Sequence, residues 1–189
     1  PEPVRAALTR RLAEIRHDYA PLIERAQQAA EAVQAALQNA LGTGQVSEET
    51  LFDTRYTPVP GTNPEQFEVP YLGLLRRLLP DVQEKYLRQD SRMTLCVAVD
   101  RNGYVPVHNR VYSQPQRPGD IAWNTANSRD RRIFDDRAGY AAARNTRPFL
   151  IQTYVRDMGN GQMVKMREVD SPITLNGRHW GSLRTAYRS

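Results

Sequence analysis

The stretch Thr94–Asn109, TLCVAVDRNGYVPVHN, decides the fold, because it places a turn between two extended apolar segments. The turn signal is Asn102-Gly103, a pair that accommodates the positive φ angles of a type I′ hairpin turn. The pattern therefore predicts a β-hairpin whose second strand ends on His108 and Asn109. An imidazole and an amide presented together at a strand end indicate a sensing or binding element.

Length and composition bound the class of protein. The chain has 189 residues, of which 40% are apolar, and this is enough to bury a sizeable core. No apolar run approaches the roughly 20 residues of a membrane-spanning helix, so we expect no direct membrane span. The single cysteine, Cys96, lies inside an apolar strand pattern, which predicts a buried thiol rather than a nucleophile. Because the chain begins at Pro1 without a methionine, we expect it to be part of a longer protein.

Positive charge is concentrated in the last third of the chain. The formal net charge is +5, and residues 129–189 carry 12 Lys or Arg residues against 6 Asp or Glu residues. Nearly all of these cations are arginine, which suits two-contact binding of carboxylate or phosphate. Solvated charged faces would explain the same composition. The cations form no continuous run and no aromatic-interleaved motif, so we expect no nucleic-acid partner.

Residues 4–41 are predicted to form one long helix with an apolar heptad pattern. Apolar residues recur at alternating spacings of four and three, at Leu8, Leu12, Ile15, Tyr19, Leu22, Ala26, Ala29, Val33, Ala36 and Ala40. This is the seam of a coiled coil or helical bundle, and it predicts a homodimer. The second half of the seam is mostly alanine, so it could pack tightly on a partner helix or on its own domain. We assign residues 1–44 to a dimerisation and signalling helix, and residues 45–189 to a second domain.

The second domain combines helices with short alternating strands. Helices are predicted over roughly Tyr71–Asp90 and Arg129–Asp135, and strands over Phe149–Asp157, Met163–Val169 and Arg178–Arg188. Together with the hairpin, these strands would make a five-stranded antiparallel sheet with flanking helices. The fold class is therefore predicted to be α+β, with an element order typical of PAS and Cache sensor domains.

A series of short motifs runs through this second domain. They are Leu51-Phe52-Asp53, Tyr56–Thr62, Asp100–Tyr104, Pro106, His108-Asn109, Arg129, Arg132-Ile133-Phe134, Arg144-Asn145-Thr146, Gln152–Asp157 and Gly177–Gly181. In this combination the chain resembles the Cache-like sensory module of bacterial methyl-accepting chemotaxis proteins. The resemblance implies a cytoplasmic module placed after a signalling domain in the same polypeptide. It also implies a small-molecule ligand and, through the signalling domain, the chemotaxis kinase as a partner.

Seven residues are candidates for ligand binding. They are His108, Asn109, Arg129, Arg132, Tyr154, Arg156 and His179. The three arginines are the candidate anion-binding groups, although nearby aspartates could pair with them instead. Gln152, Tyr154 and Arg156 share one face of a predicted strand, and this polar row is either a pocket floor or a solvent face.

The sequence offers little for catalysis. It contains no Gly-x-Ser-x-Gly elbow, phosphate-binding glycine loop or His-Glu-x-x-His helix, so we expect a non-catalytic protein. We expect neither a metal site nor a cofactor, with non-covalent haem on His108 or His179 as a lesser alternative. A second alternative is a protein-interaction module, in which Trp123, Trp180 and Tyr154 would fill the pocket.

Overall fold

The computed structural model describes residues 2–189, and the chain has an α+β fold. Five α-helices and eight strands follow one another in the described residues. The helices are α1 (Glu2–Gly42), α2 (Glu48–Leu51), α3 (Leu72–Leu87), α4 (Ile121–Asn127) and α5 (Arg137–Arg144), with a 3₁₀-helix at Arg110–Tyr112. The strands are β1 (Thr57–Pro58), β2 (Phe67–Glu68), β3 (Met93–Asp100), β4 (Tyr104–Val105), β5 (Arg132–Ile133), β6 (Leu150–Asp157), β7 (Met163–Leu175) and β8 (Arg178–Arg188).

The main sheet has four antiparallel strands in the order β3-β8-β7-β6. The prediction of five strands is wrong, because β4 pairs with β5 in a separate two-stranded ribbon. At the predicted turn only Gly103 takes a positive φ, of 83°, so the turn is not type I′. The side chain of Asp100 accepts the backbone N–H groups of Asn102 and Tyr104 instead, and this turn directs the chain out of the sheet.

Helices α1 and α3 cover one face of the sheet. The second half of the heptad packs inside the chain, because Leu22, Ala26, Val33 and Ala40 belong to the main core with β7 and β8 residues. The Gln34 side chain also accepts the backbone N–H of Thr174 at 2.9 Å. The first half of the heptad is left uncovered by the described part of the chain, since residues 2–18 are exposed. The apolar heptad face therefore has two parts: its first half is exposed, and its second half is buried against the sheet.

A layer made of the 3₁₀-helix, α4, β5 and α5 lies on the other face. A second, smaller apolar cluster includes Leu95 and Val97 of β3, with Phe134 packed against it. The predicted helix at Arg129–Asp135 does not form. Arg131 takes a φ of 59° and donates its backbone N–H to Val105 at 2.6 Å, so this segment is an extended connection along β4. The connection carries Arg129 and Arg132 over the sheet.

Candidate functional site

A cavity of about 210 Å³ lies between the sheet and this second layer. Its floor is apolar and comes from β3, where Leu95 and Val97 point away from α1. Its walls carry the charged side chains of Arg129, Arg132 and Arg156, and Arg184 reaches it from β8. A site with an apolar floor and a few convergent polar groups is the usual form of a small-molecule pocket.

The strand β6 supplies one wall because its side chains alternate between two faces. Tyr154 and Arg156 line the cavity on the face that also carries Gln152, which donates to the Ala138 carbonyl at 2.8 Å. Val155, on the opposite face of this edge strand, is 57% exposed. Of the two sequence-based interpretations of this polar row, the structure places it on the cavity side.

Arg156 is the most unusual side chain of the cavity. It is only 2% exposed, and its Nε and Nη2 are buried without a hydrogen-bond partner. The guanidinium lies over the ring of Tyr112 with 4.3 Å between its carbon and the ring centroid. This cation–π contact leaves the Nε and Nη2 edge of the guanidinium without a hydrogen-bond acceptor. These two donors could bind a further hydrogen-bond acceptor.

Arg129 and Arg132 are positioned by α4 and by an aromatic ring. Arg129 Nη1 donates to the Thr125 carbonyl at 2.8 Å, while its Nε is buried without a partner. Both guanidinium carbons lie near the Phe134 ring, at 5.0 Å and 4.7 Å from its centroid. Burial, and then the charge of Arg156, lower the pKa of Arg129 to about 9. The positive charges of Arg129 and Arg156 therefore repel each other, and a bound anion would reduce this repulsion.

Arg184 is the one cavity arginine with a carboxylate partner. Its Nε and Nη2 contact both oxygens of Glu168, and the Nη2–Oε2 distance is 2.9 Å. Asp170 lies beside this pair, and burial followed by the charge of Glu168 raises the pKa of Asp170 well above its ordinary value. A neutral Asp170 would leave Glu168 to balance Arg184 alone.

His108 lines the cavity from the segment after β4, and it is fully surrounded by protein. Its Nδ1 accepts the backbone N–H of Asn109 at 2.8 Å, so the proton of the neutral ring lies on Nε2. Burial, and then the charge of Arg129, lower the pKa of His108 well below 6.5. At neutral pH the ring is uncharged and can donate one hydrogen bond from Nε2.

The structure brings five of the seven candidate residues to one cavity, and two lie elsewhere. Asn109 is buried, but its side chain exchanges two hydrogen bonds with the backbone of Cys96, at 2.8 Å and 3.1 Å. His179 is half-buried at the start of β8, outside the cavity lining, and burial lowers its pKa. Sequence reasoning missed Phe134 and Arg184 as cavity residues. The alternation of β8 places Arg184 opposite Asp170 of β7, but this register is visible only in the folded sheet.

The balance of charge in the cavity is positive. Among residues 2–189, Arg129, Arg132 and Arg156 form no ion pair with a carboxylate. Asp136 and Asp157 also line the cavity, where they accept the N–H groups of Gly139 and Gly159, and they reduce the positive charge without cancelling it. The arrangement can therefore hold an anion, and the neutral His108 ring can add a hydrogen bond.

Comparison with known proteins assigns no family to this geometry. No protein-family model matches the chain, and no curated protein matches it. Within the described range 2–189, no helix is long and apolar enough to cross a membrane. The same residues contain no cluster of three or more histidine, cysteine or acidic side chains that could hold a metal ion.

Proposed function

We propose that the chain is a non-catalytic, ligand-sensing domain of a bacterial chemoreceptor that binds a small anionic molecule in the arginine-lined cavity. The observation that carries the proposal is the buried edge of Arg156, whose Nε and Nη2 have no partner. A buried charge without hydrogen bonds is costly, and proteins keep such groups mainly where a ligand or reaction uses them. An anion would supply the acceptors that this edge lacks.

The size and lining of the cavity support a small ligand. Its volume of about 210 Å³ is below the roughly 300–1,000 Å³ of pockets that take drug-sized ligands. This volume favours a small metabolite over haem. In the interaction-module alternative, Trp123, Trp180 and Tyr154 would fill the pocket. Trp180 instead lies in the core beneath α1 and α3, and it donates to the Leu51 carbonyl at 2.9 Å.

The sheet offers a route from the cavity to the long helix. Arg184 is paired on the cavity side with Glu168 of β7, while Val169 and Ile173 of the same strand pack in the core with α1. A ligand that moves Arg184 would change the position of Glu168 and so bias the packing of β7 on α1. We place the response in this change of packing between two discrete arrangements.

The chemoreceptor context rests on the resemblance to methyl-accepting chemotaxis proteins. In that context the domain is cytoplasmic and α1 joins it to a signalling domain in the same polypeptide, which acts on the chemotaxis kinase. The homodimer would use the exposed half of the heptad, where Leu8 and Leu12 are 58% and 60% exposed. Identical helices pairing through these positions would bury them.

A thermal-shift screen of the purified chain tests the proposal. The probes are sodium salts of short mono-, di- and tricarboxylates, inorganic phosphate and sulfate, with uncharged amides of the same lengths. We expect at least one anion, and no amide, to raise the Tm. The shift should disappear in Arg156→Met and persist in Lys165→Met, which removes an exposed cation of β7 outside the cavity lining. An unchanged Tm with every anion would overturn the proposal.

A further inference from the structure

We infer that the ligand of this cavity is a short aliphatic dicarboxylate, one end of which binds side-on to the Nε/Nη2 edge of Arg156. The inference rests on the proposed function and adds the chemical class of the ligand. Three features carry it. They are the vacant edge of Arg156, the two arginines Arg129 and Arg132 that form no ion pair within residues 2–189, and the apolar floor between charged walls.

The first carboxylate is indicated by a comparison between two arginines of the same sheet. Arg184 uses its Nε and Nη2 to hold both oxygens of the Glu168 carboxylate. On Arg156 the same two atoms are buried and have no acceptor. A planar group with two oxygens matches this edge in the way that Glu168 matches Arg184. Because Nε and Nη2 lack an acceptor, this edge of Arg156 is the part left for a ligand.

The second carboxylate is indicated by charge. A single negative charge on Arg156 would leave Arg129 and Arg132 without any carboxylate, and the Nε of Arg129 without a partner. Burial lowers the pKa of Arg132 and the charge of Asp157 raises it, and the net result is a pKa lowered to about 10. Burial is the largest cause of this lowered pKa, and Asp157 is near Arg132 without forming an ion pair with it. A second carboxylate would give the Nε of Arg129 the acceptor that it lacks, and it would bring an anion to the guanidinium groups of Arg129 and Arg132 beside Phe134.

The body of the ligand is indicated by the floor. Leu95, Val97 and Val105 line the cavity with apolar side chains and offer no hydrogen-bonding side-chain atom. Methylene groups would contact this floor favourably, whereas hydroxyl groups there would lose their hydration. The volume of about 210 Å³ is below the roughly 300–1,000 Å³ of pockets that take drug-sized ligands, which favours a chain of a few carbons.

Isothermal titration calorimetry of the full chain tests the inference with matched probes. The probes are succinate and glutarate, the monoamide of each, butyrate and inorganic phosphate. We expect a dicarboxylate to bind at least tenfold more tightly than its monoamide. Arg156→Lys keeps the charge but loses the two-donor edge, and it should weaken the dicarboxylate and the monoamide by similar factors. Arg129→Lys should weaken the dicarboxylate more than its monoamide.

The outcomes separate this inference from the proposed function. If a monoamide or butyrate binds as tightly as the dicarboxylate, the inference of a second carboxylate is wrong, but the proposal of an anion-binding domain still stands. If phosphate binds more tightly than every dicarboxylate, the ligand class is wrong and the anion site again remains. If no probe binds to folded protein, and sulfate and the tricarboxylates also give no thermal shift, both proposals fail. Circular dichroism melts of the two lysine variants establish that they are folded before titration.

Discussion

Arg184 and Glu168 form an ion pair with two contacts inside the sheet, and Arg156 lines the same cavity with the equivalent donors unused. The two arginines differ in what the folded chain gives them. Arg184 lies on the central strand β8 and faces a carboxylate on the neighbouring strand β7. Arg156 lies on the edge strand β6, which has a neighbouring strand on one side only. The residue paired with Arg156 on β7 is Val164, which offers no carboxylate, whereas Arg184 is paired with Asp170 and bonded to Glu168 of the same strand.

Replacing Arg156 with methionine should stabilise the ligand-free protein. The substitution removes a buried cation with two unpaired donors and keeps most of the side-chain volume, at the loss of the contact with Tyr112. We expect the free energy of unfolding to rise by about 1–3 kcal/mol, because an unpaired buried donor costs about that much. Urea unfolding measures the change, with Lys165→Met as the control. A less stable Arg156→Met protein would mean that the guanidinium stabilises the empty domain.

Removing Arg184 should have the opposite effect. In Arg184→Met the Glu168 carboxylate stays buried beside Asp170 without its cation. Loss of one partner of a buried pair typically costs about 3–5 kcal/mol, and we expect a decrease of that size in the free energy of unfolding. The double variant Arg184→Met/Glu168→Gln should recover much of this loss, because the unpaired charge is gone. Equal instability of the single and double variants would contradict the argument.

Stability should fall as the pH drops below about 6.5, in part because of His108. Burial and then Arg129 depress the pKa of His108 in the folded state well below 6.5, so the unfolded chain takes up the proton first. The neutral ring therefore contributes its stability above pH 6.5 and loses it as the pH falls toward the folded pKa, by at most about 1.4 kcal/mol per pH unit. The raised pKa of Asp170 acts in the opposite direction, since that group loses stability as the pH rises.

The contribution of His108 is isolated by comparing variants at pH 7.5 and 5.5. His108→Gln should show a smaller loss of unfolding free energy between the two values than the unaltered protein. His17→Gln, on the exposed part of α1, is the matched control and should leave the difference unchanged. If His108→Gln and the unaltered protein lose the same free energy, His108 does not titrate in the way described.

Asn109 should matter for stability and not for ligand affinity. Its side chain satisfies the backbone N–H and C=O of Cys96, so Asn109→Ala leaves two buried backbone groups unpaired. The expected loss is about 1–3 kcal/mol for each group, measured by urea unfolding. Asn39→Ala, an exposed position of α1, serves as the control. A stable Asn109→Ala protein that fails to bind an anion bound by the unaltered chain would assign Asn109 to the site instead.

Local patterns predicted much of the fold because they depend on neighbouring residues. The alternation of Tyr154 and Arg156 on β6, and the turn at Asn176-Gly177 with φ angles of 49° and 75°, follow from short stretches of chain. The same Asn-Gly pair at 102–103 forms a different turn, because Asp100 binds the backbone N–H of Asn102 and of Tyr104. After this turn β4 pairs with β5 and not with the main sheet, and the sequence pattern of two extended segments does not show this.

The cavity was harder to predict because it depends on contacts distant in sequence. Arginines were expected to bind anions, but only the folded sheet gives Arg184 the partner Glu168 and leaves Arg156 with none. His108 and Asn109 are adjacent in sequence, yet one lines the cavity and the other binds Cys96. The heptad pattern has the same limit. Apolar spacing predicts a buried face without stating whether the cover is a second chain or the chain's own sheet.

Leu12→Glu should abolish a homodimer without disturbing the domain. Leu12 is 60% exposed on the part of α1 that packs on nothing within the chain, so its apolar side chain is available to a second copy. Two glutamates facing each other at this position would repel and remain hydrated, which favours the monomer. Sedimentation velocity at micromolar concentration should show a dimer for the unaltered chain and a monomer for Leu12→Glu.

Arg10→Glu, exposed on the same helix outside the heptad positions, is the control and should remain dimeric. A monomeric unaltered chain would contradict the dimer, because the exposed half of the heptad would then have no second copy to cover it.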